Sequence, residues 1–430
     1  LNPLINSLFS IFILCILFAM LAVFKNIKIG VFLSFVNLLI QGTAFLVQNF
    51  IAKNLGNESY GFFGILQNDY TIFCALADFG MTTLILAFFA NRAVKGKLFT
   101  QIIQLRFFAS FATALGMLLF AFFIRKDHPV FCGELILIPG LILQHAFFDW
   151  YFTCGAFWKQ LLISKILHAI SYASVMGIAL IYLKLESIEA IAFCMVLAAL
   201  PAWAFGVSHA LKKQIFTISK RTFRFIHLMY KAAFPYALAS LASFAYLPIG
   251  LYFVDYFAPP SLLSAYNYAN KLIVLASGFM VHFISSSLIS LHKQNDSKVH
   301  FKDQVIFVSF IALCALPIFL FPQKILSLLF FAANWTPDVL KYSAFVLQVL
   351  ACSLIFQAIR MPCISLLLKE KFIWKYVLLI SIGGAFNIIC CYLGISYFGV
   401  ENAPLFVLSG DILFTLLLII DALKNKRFVL

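Results

Sequence analysis

Residues 107–124 read FFASFATALGMLLFAFFI, an uninterrupted run of eighteen residues without a charged side chain. The run belongs to a longer apolar segment, 102–124, which is long enough to cross a bilayer, because about 20 mostly apolar residues form one helical span. Similar segments recur along the whole chain, with short polar breaks between them. Since only α-helices satisfy the backbone of such a run in lipid, the sequence predicts an all-α, polytopic membrane protein.

The composition supports this class. Of the 430 residues, 63% are hydrophobic and 11% are charged, and the mean hydropathy is +1.01. A typical soluble domain is about half apolar and about one quarter charged, so a soluble globular protein is excluded. Most of the ten cysteines lie inside apolar runs and no CxxC pair occurs, so the sequence predicts neither disulfides nor a metal site.

About twelve spans are predicted, in two six-helix lobes around a central cavity. The predicted spans are 29–51, 61–89, 102–124, 134–153, 161–183, 188–207, 232–254, 262–290, 304–321, 339–359, 373–396 and 402–421.

The distribution of lysine and arginine predicts the orientation. When the segment before residue 29 is placed in the cytoplasm, the inner segments hold 21 of these residues and the outer segments hold 5. Such an excess marks cytoplasmic loops, so the C-terminus is expected in the cytoplasm. The formal net charge of +15 is spread over the breaks between spans and forms no patch for nucleic acid. The outer five are Lys53, Arg125, Lys126, Lys184 and Lys324.

The longest polar break in the middle, 208–231, predicts a cytoplasmic linker between an N-lobe at 29–207 and a C-lobe at 232–421. Residues 422–430 form a cytoplasmic tail, and residues 1–28 form an N-terminal extension with a further hydrophobic segment.

That further segment, Leu4 to Phe24, allows three interpretations. It is a thirteenth span, or a signal peptide without a basic first region, or a stretch upstream of a start at Met20. The third interpretation keeps Lys25 and Lys28 inside, and it is favoured slightly over a thirteenth span.

The two lobes echo each other. The first outer break reads LGNESYGFF at 55–63, and its counterpart reads FAPPSLLSAY at 257–266. Both are turn-rich, continue with a small residue and an aromatic one, and lead into a long span. Duplicated lobes of this kind recur in transporters, where the substrate is handled at the interface between the repeats.

Four motifs resemble one family. They are AKNLGNESYG at 52–61, DFG at 78–80, DWYF at 149–152 and YNYANK at 266–271. Together with the six-six division, they resemble polysaccharide (O-antigen) flippases of the Wzx type, in the superfamily that includes multidrug (MATE) exporters. The family often continues the third motif with Gln-Gly and an acid, whereas this chain has TCGA at 153–156.

The resemblance implies a function. Such proteins translocate an undecaprenyl-diphosphate-linked oligosaccharide, an O-antigen or related surface polysaccharide unit, across the bacterial inner membrane by alternating access of two lobes. The partners that it implies are this glycan, the membrane lipids and a polysaccharide polymerase; no cofactor and no nucleic acid are implied.

Charged residues inside spans are the candidate functional residues, because a charge in the hydrocarbon is costly. Lys271 is predicted to face the cavity and bind a diphosphate or acidic sugar, with Asn270 beside it. The alternative is a structural ion pair between Lys271 and Asp69, which lies at a similar depth. Arg360 and Arg92, near inner boundaries, are further substrate-binding candidates.

The remaining polar residues within spans carry a coupling ion or stabilise the fold. Asp78 either binds a coupling ion or caps a break in its helix. His145 and Asp149 lie four residues apart and share a helical face, so they form a proton relay or a structural hydrogen bond. Asp411 lies in the middle of the last span, without an obvious partner.

Three functions compete. The first is a flippase for lipid-linked oligosaccharide, and the second is a cation-coupled small-molecule exporter, which should present acids where a diphosphate flippase presents bases. The third, a membrane-embedded transferase, is disfavoured, because the longest outer break, 322–338, is short and carries one acid, Asp338. The sequence has no GxSxG, P-loop or HExxH motif, so an enzyme is not expected.

The charge asymmetry predicts the topology directly. A reporter fused after residue 427 should be cytoplasmic, and one inserted near residue 128 should be periplasmic. Alkaline phosphatase and fluorescent-protein fusions measure both positions, and a periplasmic signal from the 208–231 segment would refute the arrangement.

Overall fold

A computed structural model of the chain describes residues 28–82, 84, 97–145, 152, 157–212, 222–293, 299–331, 333, 335–369, 372–425 and 428–429. Those residues form thirteen α-helices: α1 Lys28–Asp78, α2 Lys97–Ile124, α3 Phe131–His145, α4 Trp158–Gly177, α5 Ile188–Lys212, α6 Thr222–Ser243, α7 Leu247–Phe257, α8 Pro260–Lys293, α9 Phe301–Leu320, α10 Pro322–Leu329, α11 Pro337–Lys369, α12 Ile373–Phe398 and α13 Ala403–Lys424. A π-helical turn, Ile178–Tyr182, extends α4, and Val299–His300 pairs in parallel with Phe428–Val429.

The predicted fold class is confirmed. Each of the twelve predicted spans overlaps a helix, and α1 contains the first span and most of the second. Within the described residues, six helices are long and apolar enough to cross a membrane, or eight if two bent pairs each count as one span. Helices α5 and α6 both reach into the predicted linker 208–231, of which 213–221 lies outside the described residues.

Helix α2 shows why these helices are apolar on every side. Its large residues Phe108, Phe111 and Leu115 are more than half exposed, whereas Ala114 and Met117 are buried against other helices. A helix that is hydrophobic all round has one face for its neighbours and another for lipid. The exposed face of α2 is therefore a lipid-facing surface.

Two helix pairs bend sharply. Helices α6 and α7 meet at 48°, and α9 and α10 meet at 92°. Helix α10 corrects the sequence prediction, because 322–338 was interpreted only as a break between spans. It starts at Pro322 and buries Leu326 while leaving Leu328 exposed, so it lies as a short amphipathic helix across the end of α9.

Small residues bring the lobes together where the echoed segments meet. Helix α1 is interrupted at Gly56, which has φ 73° and ψ 176°, so the segment after Gly56 takes a new direction. Its Gly61 packs against the backbone of Ser264, and Gly64 packs against the side chain of Asn267. The Asn267 amide donates a hydrogen bond of 2.9 Å to a carbonyl of the first lobe. Small residues at such a crossing allow two membrane helices to approach closely.

Aromatic rings surround this crossing. Tyr60 of the first lobe packs on Tyr268 of the second, with ring centroids 4.6 Å apart. Phe330, which follows α10, and Trp335 pack on the Tyr268 ring at 4.9 and 4.6 Å. Phe45 of α1 contacts Phe330 at 4.9 Å. This interlobe aromatic cluster excludes water from one end of the contact between the lobes.

A second interlobe contact lies where α1 ends. Phe79 and Gly80 have φ of 47° and 68°, a left-handed conformation that favours glycine. A Cβ atom on Gly80 would lie 2.6 Å from the backbone nitrogen of Ala237 in α6 and 2.6 Å from the Cβ of Tyr236. Gly80 is therefore required both by its backbone conformation and by the close approach of the second lobe.

We expect Gly80→Ala to destabilise the protein by roughly 1–3 kcal/mol, because strain and overpacking add at this position. Gly116→Ala in α2 is the control, because a Cβ there meets no atom within 4 Å. Thermal unfolding in detergent measures both variants. Equal unfolding temperatures for the two variants would show that the contact between Gly80 and α6 accommodates a Cβ atom without loss of stability.

Candidate functional site

A cluster of charged residues joins the lobes beside the aromatic cluster. The guanidinium of Arg125, just after α2, binds carboxylates from two elements. Its Nη2 atom lies 3.3 Å from Asp69 of α1, and its Nη1 atom lies 3.2 Å from Asp255 of α7. Its Nε atom lies 3.9 Å from Glu134 of α3. Asp69, Arg125 and Glu134 belong to the first lobe and Asp255 to the second, so we call these residues the interlobe cluster.

Three side chains complete the surroundings of the interlobe cluster. The Tyr252 hydroxyl of α7 donates a hydrogen bond of 2.5 Å to Asp69. The His128 ring lies 3.3 Å from the other Asp255 oxygen and packs edge-on against Phe62 at 5.4 Å. Both lobes therefore supply hydrogen-bonding groups to a site from which water is largely excluded.

Of this cluster, only Asp69 was predicted from the sequence as a site residue. Arg125 was expected as one of the outer loop bases, and Glu134 and Asp255 were not predicted as site residues. One feature of the sequence could have indicated the cluster. Arg125 is a basic residue on the outer side, where the positive-inside rule predicts few, and the acids Glu134 and Asp255 lie at span ends on the same side.

A second buried ion pair lies inside the second lobe. Arg360 of α11 forms an ion pair with Asp411 of α13, and the Ser353 hydroxyl donates to the same carboxylate. The guanidinium lies over the rings of Tyr246 and Phe414, with centroids 5.6 and 5.2 Å away. Asp411 thus has the partner that the sequence did not reveal, and the Arg360 guanidinium is held inside the second lobe.

Asp78 occupies the break at the end of α1. It binds Arg106 of α2 at 3.0 Å, and it accepts hydrogen bonds from the hydroxyl and the backbone N–H of Thr82 at 2.5 and 3.2 Å. The carboxylate therefore caps the turn through Gly80, which is the structural one of the two roles considered for it.

Lys271 differs from these paired charges. It lies in α8 and is partly buried, and within the described residues its ammonium makes no ion pair and no hydrogen bond. Asp69 binds Arg125 instead, so the ion pair between Lys271 and Asp69 is not formed. Asn270 beside it is buried, and its side-chain oxygen has no hydrogen-bond partner in the described part of the chain.

Three predicted site residues are not placed. Arg92 and Asp149 lie outside the described residues, and of His145 only the backbone at the end of α3 is described.

A cavity of about 270 Å³ lies within the first lobe. Helix α4 supplies much of its polar lining, with Ser164, Lys165, His168 and Tyr172 on the face that it turns to the cavity. Tyr70 of α1 adds a second hydroxyl. The remaining lining comes from apolar residues of α1, α3 and α5, and none of the described lining residues is a carboxylate. Lys165 and His168 were not predicted as site residues.

The chain is similar to known membrane transport proteins. The family described as polysaccharide biosynthesis protein matches residues 27–289, which is more than half of the chain. Among solved structures, a lipid II flippase MurJ in an inward closed conformation matches with a TM-score of 0.71 and 13% identity, covering 92% of this chain and 87% of that one.

An inward-facing multidrug resistance MATE family transporter of the MOP superfamily matches with a TM-score of 0.68 and 11% identity, covering 91% of this chain and 98% of that one. An outward-facing multidrug resistance MATE family transporter matches with a TM-score of 0.64 and 12% identity, covering 91% of this chain and 94% of that one. The search of curated proteins found no match. At these identities the solved structures show the fold, which this chain shares with MATE family transporters and a lipid II flippase.

The two intramembrane cations should respond differently to truncation. Arg360→Ala leaves Asp411 buried without its cation, which costs about 3–5 kcal/mol, so the amount of protein in the membrane should fall. Adding Asp411→Asn to the same chain should restore it. Lys271→Ala strands no acid, so the amount of protein should stay near normal while transport is lost, and Lys271→Arg should retain transport.

Quantitative immunoblots of the membrane fraction, with a transport assay alongside, separate these effects. Normal transport by Lys271→Ala at normal abundance would exclude a functional role for Lys271.

Proposed function

Because this chain belongs to the polysaccharide biosynthesis protein family, we propose that it is a flippase for an undecaprenyl-diphosphate-linked oligosaccharide. It moves an O-antigen or related surface polysaccharide unit from the inner to the outer leaflet of a bacterial inner membrane. The two lobes alternate in access, and the C-terminus lies in the cytoplasm.

The lining of the first-lobe cavity carries this proposal. Its polar groups are the Lys165 amine, the His168 imidazole and the hydroxyls of Ser164, Tyr70 and Tyr172. All of them can donate hydrogen bonds, and a lysine binds phosphate as a point charge. A cavity with donors and without a carboxylate suits an anion such as the diphosphate of a lipid carrier.

The size of the cavity fits one part of such a substrate. A volume of about 270 Å³ is close to the lower limit of small-molecule pockets, so it holds a diphosphate or a single sugar but not a whole oligosaccharide. The glycan would then occupy the space that opens when the lobes separate. Lys271 in α8, which has no acidic partner in the described residues, would supply a positive charge from the second lobe.

The alternative, a cation-coupled small-molecule exporter, receives less support. It needs acids that are available to a cationic drug, and Asp69 and Asp78 had kept it open. Asp69 lies 3.3 Å from the Arg125 guanidinium, and Asp78 lies 3.0 Å from that of Arg106. Among the described residues, no acid lines the first-lobe cavity.

The cavity lysine provides the test. Lys165→Ala should abolish or strongly reduce surface glycan in a strain that lacks its own flippase, because the cationic partner of the diphosphate is lost. Lys165→Arg should retain export, since it keeps the charge. Lys159→Ala is the matched control, because Lys159 lies on the same helix but is exposed and outside the cavity.

Surface glycan is measured by blotting, with the amount of membrane protein measured in the same cells. Wild-type glycan levels for Lys165→Ala at normal abundance would contradict a diphosphate site in this cavity.

A further inference from the structure

Glu134 is the one acid of the interlobe cluster without a donor. Its side chain is completely buried, and neither of its oxygens has a hydrogen-bond partner in the described part of the chain. The closest cationic atom, the Nε of Arg125, lies at 3.9 Å, which is beyond hydrogen-bonding distance. An ionised carboxylate in this position would be desolvated without compensation, so the surroundings favour the neutral acid.

The other polar neighbour of Glu134 is a second carboxyl group. The Arg125 guanidinium lies 3.3 Å from Asp69 and 3.9 Å from Glu134, so these two carboxyls face the same cation. Two ionised carboxyls that are crowded together in a buried site repel each other, which favours a proton on one of them. Asp69 already accepts from Tyr252 and binds the Arg125 guanidinium, which stabilises its ionised form. The proton therefore belongs on Glu134.

The charges around the site lead to the same conclusion. Arg125 faces three carboxyls, those of Asp69, Glu134 and Asp255, and His128 is the other basic group in contact with them. With Glu134 neutral, two carboxylates face one guanidinium and one imidazole. Helix α5, which also packs on α3, presents the apolar side chain of Ile188 at Gly133, and the next residue, Glu189, is partly exposed.

We propose that Glu134 is a proton-binding site that latches the two lobes together. A proton on Glu134 leaves Arg125 free to bind Asp69 of the first lobe and Asp255 of the second lobe at the same time. Separation of the lobes removes Tyr252 and Asp255 and admits water, so the proton passes from Glu134 to water and the new carboxylate shares Arg125 with Asp69. Low pH then favours the latched state and high pH favours separation. This inference is independent of the identity of the transported molecule.

Infrared spectroscopy tests the proton directly. Purified protein in lipid vesicles at neutral pH should show the C=O stretch of a protonated carboxylic acid in an apolar environment. Glu134→Gln should remove this band, and Glu186→Gln, at an exposed position before α5, should leave it unchanged. A band that persists in Glu134→Gln would overturn the proposal. So would a failure of this variant to accumulate in the membrane, because an amide should substitute for a neutral acid.

Cysteine labelling tests the latch. Ser264 is completely buried between the lobes beside Gly61, so Ser264→Cys should react with a water-soluble maleimide only after separation. Labelling of the unsubstituted protein is subtracted, because Cys132 is exposed. Because the thiolate fraction itself rises with pH, the rate is divided at each pH by that of the exposed Cys132. This ratio should rise severalfold from mildly acidic to mildly alkaline pH, and adding Glu134→Gln should hold it low at every pH.

The position of the titrating group is established by comparing two variants. If the pH dependence survives Glu134→Gln, or if His128→Gln abolishes it while Glu134→Gln does not, the titrating group is not Glu134 and the proposal fails.

Discussion

A charged side chain in an apolar membrane interior is tolerated when the protein itself supplies a partner, and the packing of this chain depends on that constraint. The buried arginines of the described residues each reach an acid on another element. Arg106 binds Asp78, Arg125 binds Asp69 and Asp255, and Arg360 binds Asp411. Each pair fixes two helices at one depth and one rotation, which the apolar surfaces between helices cannot do, since lipid is as apolar as they are.

These pairs have different consequences for movement. The Arg106 pair lies within the first lobe and the Arg360 pair within the second, so both can remain intact while the lobes move as rigid bodies. The interlobe cluster around Arg125 must break whenever the lobes separate at that end, together with the glycine-lined crossing at Gly61 and the aromatic contacts of Tyr60. Any change that weakens the interlobe cluster therefore shifts the equilibrium between the conformations with the lobes together and apart, because a few kcal/mol decide which state is populated.

The helices could be predicted from the sequence but their partners could not. Hydropathy places each span and its ends, and the depth of Lys271 and Asp69 follows from it. Depth does not give the direction in which a side chain points around its helix, so the sequence left open whether Lys271 faces the cavity or pairs with Asp69, and Asp69 binds Arg125. Arg125 lies 56 residues from Asp69 and 130 from Asp255, and only the packed structure brings them together. Helix α10 was missed because Pro322 and Lys324 read as the start of a loop.

The function proposed for this chain is the movement of a lipid-linked anionic glycan across a bilayer. The most direct measurement uses purified protein in vesicles that contain an undecaprenyl-diphosphate oligosaccharide labelled on the sugar, with a membrane-impermeant reagent or enzyme that modifies only the outer leaflet. The protein should make the inner-leaflet pool accessible without ATP, and a polyprenyl glycan without the diphosphate should not be moved. Equal movement of both lipids, or movement of neither alongside efficient export of a cationic dye, would contradict it.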